Sequence, residues 1–480
     1  MSSEVDVTVV GSGPNGLAAA VLCARAGLKV QVFEAQPSLG GGSRTLPDPE
    51  YDGVAHDICS AIHPLALASP FFAEFDLRAR GVQLAVPEIS YANPLPGRPA
   101  AIGYHDLDRT CAGLQHAAGW RHLMGPLVEH GDDVVAFLIG DKRSLPPDIP
   151  AAALLAQRML EQGTPAWNAT LRGEDARALF SGVAAHTIST MPSFVAAGAG
   201  LLLATLAHTA GWPVPVGGSQ AIADALMDDL RAHGGVIHAG IEVRTPPPGV
   251  VLYDTAPTAL LDIYGAALPS RYASALRRYS FGAGVAKVDF VLSEDIPWAD
   301  SRLAEAATLH LGGSRPQMAA AEREVSAGRH AEWPMILAAQ SWVCDPSRID
   351  AAGRRPFWTY AHVPGDSPVD QTATITAVME RFAPGFSDIV VAARAIPAAQ
   401  MHRHDANYVG GDIGVGGNSV LRALLGPTPR VNPWATPVPK AYLCSSATPP
   451  GGGVHGMSGF YAARTALKRE FGLPVPSVRP

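Results

Sequence analysis

The sequence predicts an α/β fold, and it does so through two strand–glycine turn–helix units, one near each end of the chain. The first is the apolar run Val5 to Val10, then Gly11, Gly13 and Gly16, then an alanine-rich helical stretch from Leu17 to Ala26. The second is Ala441 to Ser445, then Gly451, Gly452, Gly453 and Gly456, then a helical stretch from Met457 to Phe471. A further apolar run, Val30 to Phe33, closes on Glu34 and supplies the neighbouring strand.

Each element has a physical reading. Gly11-Ser-Gly13-Pro14-Asn15-Gly16 has the G-x-G-x-x-G spacing of a dinucleotide-binding turn. Gly11 allows the tight turn, Gly13 lets backbone approach a pyrophosphate, and Gly16 lets helix pack closely on strand. Pro14 and Asn15 fall at the helix start, which faces the anion and makes them cofactor-binding candidates. Gly27 stops the helix. Glu34 lies roughly 20 residues beyond the turn, where a carboxylate holds a ribose hydroxyl, with Ala35 beside it. Gly40, Gly41, Gly42, Ser43 and Arg44 follow. Glycines admit a ligand close to backbone amides, and Arg44 offers a fork of donors for phosphate. A simple NAD domain does not require this second loop, whereas a bulkier dinucleotide such as FAD, lying along the sheet, uses it.

Tyr51 to Pro64, with His56, Asp57 and His63, reads as a loop returning toward the nucleotide unit. Helices are expected over Leu154–Gln162 and Gly173–Phe180. Phe194 to Ala207 is the most apolar stretch and is shorter than the ~18–20 residues a membrane span needs. It reads as a buried helix near a substrate, with peripheral membrane contact as the alternative. Gln220–His233 is a helix stopped by Gly234-Gly235, and strands are expected over Val236–Val243 and Val250–Tyr253. Ser280–Leu292 carries a strand in which Lys287 and Asp289, two apart, share a face. In the closing turn, Gly452, Gly453, Val454 and His455 offer a second helix start to a ligand; next to a flavin it would face the end where negative charge develops.

Composition narrows the functional classes. At 480 residues, two domains are expected. A net charge of −7 without a basic run excludes nucleic acid as an expected partner. Cys23, Cys59, Cys111, Cys344 and Cys444 form no C-x-x-C pair and no metal-ligand cluster, so no metal and no thiol relay are expected. The first strand starts within a few residues of Met1, which leaves no room for a signal peptide and predicts a cytoplasmic protein.

Several motifs carry a family resemblance. V-V-G-S-G-P-N-G-L, G-G-G-S-R-T, W-P-V-P-V-G-G-S-Q and T-P-P-G-G-G-V-H-G-M together resemble the FAD-dependent phytoene desaturase and carotenoid isomerase-like oxidoreductases. H-D-I-C-S-A-I-H-P, A-K-V-D-F and N-Y-V-G-G-D-I are similar to the branch named pyridine nucleotide-disulfide oxidoreductase domain-containing protein 2. The resemblance implies a Rossmann-like FAD-binding domain of amine oxidase/phytoene desaturase type with an interleaved α+β substrate domain. It places the FAD-binding domain at 1–70, 211–290 and 436–480, and the substrate domain at 71–210 and 291–435. It also implies that Val243 touches the adenine through its backbone.

His455, Lys287, His63 and Tyr408 are the catalytic candidates. The expected activity is removal of hydride from a small apolar, isoprenoid- or lipid-like substrate to form a C=C bond. Amine oxidation, isomerisation without net redox change, and a non-enzymatic escort role are the alternatives. No second strand-bound glycine fingerprint occurs, so the expected electron acceptor is oxygen or a quinone rather than a nicotinamide nucleotide.

Overall fold

The computed structural model describes residues 5–417 and 419–480. Five short strands form one parallel sheet in the order Ala441–Leu443, Val250–Tyr253, Val7–Val10, Val30–Phe33, Val236–His238. Val7 pairs with Val250 on one side and Val30 on the other; Val10 pairs with Tyr253 and Phe33. The inner strands are nearly continuous apolar runs because both faces are covered. On one face, Pro14–Arg25 packs against Gln220–Ala232 and Met457–Ala466 around Val7, Val9, Leu17, Leu22, Leu226 and Tyr461. On the other, Ala259–Tyr264 and Ser270–Arg277 bring Leu260, Ile263 and Leu276 onto Val10, Val251 and Leu443.

A second sheet runs Val390–Ile396, Gly284–Leu292, Arg355–Val363, Ile336–Ala339, Thr308–His310, Ile89–Leu95, Arg98–Tyr104. Its pairings are antiparallel except where Leu309 meets Ala92. Beside it, Ala117–Glu129, Ile149–Gly163, Glu174–Ala184 and Phe194–His208 bury Trp120, Leu155, Leu179, Phe180 and Leu201 together. The mixed α/β class with a Rossmann-like unit and an interleaved α+β unit is the observed one.

The structure corrects several boundaries. Residues 284–290 of the strand Gly284–Leu292 fall within the stretch 211–290 assigned to the nucleotide unit, yet the strand pairs centrally in the second sheet. The strand expected over Val236–Val243 ends at His238. Gly240 takes φ +71°, and the Gly240 and Ile241 N–H groups donate to Gln36 O and Glu34 O, so the chain crosses over the strand ends instead of continuing the ladder. The helix expected from Leu154 starts at Ile149, where the Asp148 side chain accepts from Ala151 N–H and Pro150 occupies the first turn. Met457–Ala466 is followed by a wider turn, Leu467–Phe471. Phe194–His208 is a buried helix, and among the described residues no helix is long and apolar enough to cross a membrane.

Candidate functional site

Val7–Val10 is the central strand, and its neighbours on its two sides are reached by separate connections. Its carboxyl end is therefore a topological switch point, where open α/β sheets take ligands. A cavity of about 1260 Å³ opens there. Single small-molecule pockets run roughly 300–1,000 Å³, so the space accommodates a dinucleotide with a second molecule beside it.

Gly11, Gly13, Pro14, Asn15, Glu34, Ala35, Gly41, Gly42, Ser43, Arg44 and Val243 all line one end. Gly16 does not: its N–H donates to Asp254 Oδ2 at 2.9 Å, beneath the turn. Glu34 Oε2 accepts from Ser12 N–H (2.9 Å) and Ser12 Oγ (2.7 Å), and Oε1 accepts from Gln36 N–H (2.9 Å). The carboxylate is thereby fixed in rotamer at the cavity edge. Arg44 is buried; its Nε donates to Gly41 O (2.8 Å), one terminal nitrogen to Ser38 Oγ (2.9 Å) and the other to His404 O. It therefore braces the glycine loop with three of its five donors. Asn15, Ser43 and Thr255 line this end, and Asn15 Oδ1, Ser43 Oγ and Thr255 Oγ1 are buried without a partner among the described residues. Buried polar atoms are rarely left so, and these fit the sugar hydroxyls and phosphate oxygens of a nucleotide.

Asp254 was not a sequence candidate. It follows Val250–Tyr253, and burial pushes its carboxyl up to about 7, with Asp405 and Glu34 adding repulsion against the Gly16 hydrogen bond. A carboxyl raised above its unfolded value contributes stability that is complete below the ordinary value and is lost as pH rises through about 7. Asp254→Asn is therefore expected to flatten the loss of apoprotein stability between about pH 5 and pH 8. Urea midpoints across that range measure it; an unchanged slope contradicts the assignment.

At the other strand–turn–helix unit, Gly452, Gly453, Val454 and His455 line the same cavity. His455 Nε2 donates to Gly451 O (3.0 Å) and Nδ1 accepts from Met457 N–H (3.0 Å). Both ring nitrogens are committed to backbone, and burial holds the ring neutral by lowering it to about 4. The ring braces the closing turn from the cavity wall. The assignment of Lys287 to catalysis is corrected: it is 2 % exposed, ion-paired with Asp289, and does not line the cavity. Asp289 in turn faces His56, and His56 Nε2 meets Asp48 Oδ2 at 3.1 Å, so the shared strand face closes a buried charge network.

Tyr408 lines the cavity, with its hydroxyl against Gly42 and the Cys59 thiol. Burial, reinforced by Cys59 and Asp405, holds that hydroxyl well above its ordinary value, so it stays protonated. His63 also lines the cavity. Ser219 Oγ donates to Ser60 O (2.5 Å) and so accepts from His63 Nε2 (2.8 Å), which leaves His63 Nδ1 as an acceptor without a protein partner. Burial lowers this imidazole to about 4 and keeps it neutral.

Beyond these groups the cavity turns apolar, walled by Phe137, Leu138, Met159, Leu202, Leu203 and Trp212. Sequence reasoning anticipated the apolar helix but missed Trp358 and Thr308, which line the second-sheet wall. It also assigned no role to Asn407, which ties its own loop to the turn after Val250–Tyr253 by accepting from Ala256 N–H (2.7 Å) and donating to Asp254 O (3.1 Å). Strand patterning alone does not reveal which distant rows meet.

Residues 9–75 match the family of NAD(P)-binding Rossmann-like domains. A hydroxyneurosporene desaturase of Rhodobacter capsulatus is 53% identical over 49 residues, a stretch that spans 10% of this chain and 10% of that protein. An oxidoreductase from Methanosarcina mazei superposes with a TM-score of 0.60 at 16% identity, covering 97% of this chain and 100% of that one. A putrescine oxidase variant redesigned for cofactor binding superposes with a TM-score of 0.60 at 17% identity, covering 96% and 98%. The likeness to the two solved structures is one of fold, and it extends over nearly the whole chain.

Proposed function

We propose that the chain is an FAD-dependent oxidoreductase that dehydrogenates an apolar, isoprenoid- or lipid-like molecule. The observation that carries this reading is a single cavity joining two glycine turns and a set of unpartnered polar atoms to an apolar chamber. The backbone of Gly11–Gly13 and the helix start at Pro14 would receive the pyrophosphate. Ser43, Asn15, Thr255 and Glu34 would hold phosphate and ribose oxygens, and the Gly452–Val454 backbone would lie against the ring system. When bound, the flavin supplies a two-electron acceptor for hydride.

The remaining chemistry belongs to the chain. The apolar wall orients the substrate and excludes water, while His63 offers its neutral Nδ1 to a departing proton. Amine oxidation is less well served: the helical wall presents Lys142 and no carboxylate to an ammonium group. With no second glycine fingerprint in the sequence, oxygen or a quinone is the proposed electron acceptor.

The test is anaerobic mixing of the oxidised flavoprotein with apolar chain compounds, alkyl amines, NADH and NADPH. Bleaching by members of the apolar set is expected, with NAD(P)H a poor reductant. Bleaching by NADPH within about a second, the scale of ordinary turnover, would contradict the reading.

A further inference from the structure

The second-sheet wall of the cavity says something about the substrate's chemistry. Thr308 pairs with Ala339, and Ala339 with Trp358, so the three side chains form one row on the same face of neighbouring strands. All three line the cavity and all are buried. The middle member is small, which leaves a niche between the outer two. Trp358 Nε1 and Thr308 Oγ1 are both buried without a hydrogen-bond partner among the described residues. An indole N–H can only donate, so it needs an acceptor that the protein does not provide.

The surroundings set the charge of that acceptor. His186 lines the same wall, its Nε2 is 2.9 Å from His310 Nε2, and burial lowers its ring to about 3, so it brings no positive charge. Asp289 sits directly across from Trp358, but it is ion-paired with Lys287 of the adjacent row, and neither residue lines the cavity. A carboxylate would find no cation there, and an ammonium group would meet a donor.

We infer that the substrate is an apolar molecule bearing one uncharged oxygen function, a carbonyl or hydroxyl, which Trp358 and Thr308 hold in the niche over Ala339. This deepens the apolar-substrate reading above and rests on it. The oxygen function fixes how far the hydrocarbon body enters the helical chamber, and so which carbon–carbon bond is presented for reaction.

The test is equilibrium dialysis of the flavin-loaded protein against 2-octanone and 2-methyl-1-octene, which replaces the carbonyl oxygen by a methylene group, with octanoate and octylamine alongside. The wild type should prefer the ketone over the alkene by about tenfold, the worth of one or two hydrogen bonds. Trp358→Phe combined with Thr308→Val should abolish that preference, bringing the ratio of ketone to alkene affinity to about one, with flavin content unchanged. Ala339→Leu, which fills the niche from a different residue, should weaken ketone binding more than alkene binding.

Equal wild-type affinity for ketone and alkene overturns the inference, as does absence of ketone binding or a preference that survives the double substitution. Tighter binding of octanoate that is lost in Lys142→Gln also overturns it, by placing the head group elsewhere. Flavin content is read separately by absorbance. A protein without flavin that still prefers the ketone contradicts the redox reading and supports this one; a loaded protein without the preference contradicts this one alone.

Discussion

Gly452→Val should yield a folded protein that has lost most of its flavin. A Cβ at Gly452 meets only Gly414 Cα, at 3.8 Å, and the residue is outside the left-handed backbone region, so the backbone there accepts a side chain without strain. The added methyls project into the cavity shared by the two glycine turns. Overfilling a packed site costs about 1–3 kcal/mol, or roughly fivefold to more than a hundredfold in FAD affinity. Gly13→Val is the less discriminating change: a Cβ there lies 2.6 Å from Asp254 Oδ2, so the turn or the Asp254 carboxyl must shift whether or not a ligand is present. The readout is flavin-to-protein absorbance ratio, with circular dichroism to establish the fold. Full loading of a folded Gly452→Val protein would mean that the ring system does not lie against this turn.

The largest stability effect is expected at Lys287→Met. Lys287 and Asp289 are paired in the interior of the second sheet, and Asp289 also faces His56. Removing one member of a buried pair leaves an uncompensated charge and costs about 3–5 kcal/mol, whereas replacing both with apolar groups of similar size is often nearly neutral. Lys287→Met should therefore lower the urea midpoint sharply, and Lys287→Met with Asp289→Leu should recover much of the loss. A midpoint unchanged in the single variant would show that the pair is not sequestered from water.

The contrast between these two sites explains how much was legible in the chain. The glycine turns were readable because each is contiguous: strand, turn and helix follow one another, and the glycine spacing alone marks the turn between them. Val30–Phe33 and Val250–Tyr253 were readable for a related reason, as short apolar runs bounded by turns. Asp254 was not, because its partner Gly16 is 238 residues away and only the parallel pairing of Val7–Val10 with Val250–Tyr253 brings them together. The row of Thr308, Ala339 and Trp358 depends on strand register across separate loops, which alternation does not encode. Lys287 was visible as an unusual residue, but its burial and its distance from the cavity are tertiary facts. His455 was correctly placed at the closing turn by sequence position, yet its two backbone hydrogen bonds depend on the detailed path of that turn.

The cavity between the two glycine turns is proposed to hold FAD. The most direct measurement is acid release and chromatography of the nucleotide from the purified protein, after reconstitution with FAD if needed. About one FAD per chain, with a flavin absorbance spectrum before release, is the result predicted; recovery of only a nicotinamide nucleotide, or no retained nucleotide after reconstitution, would contradict it.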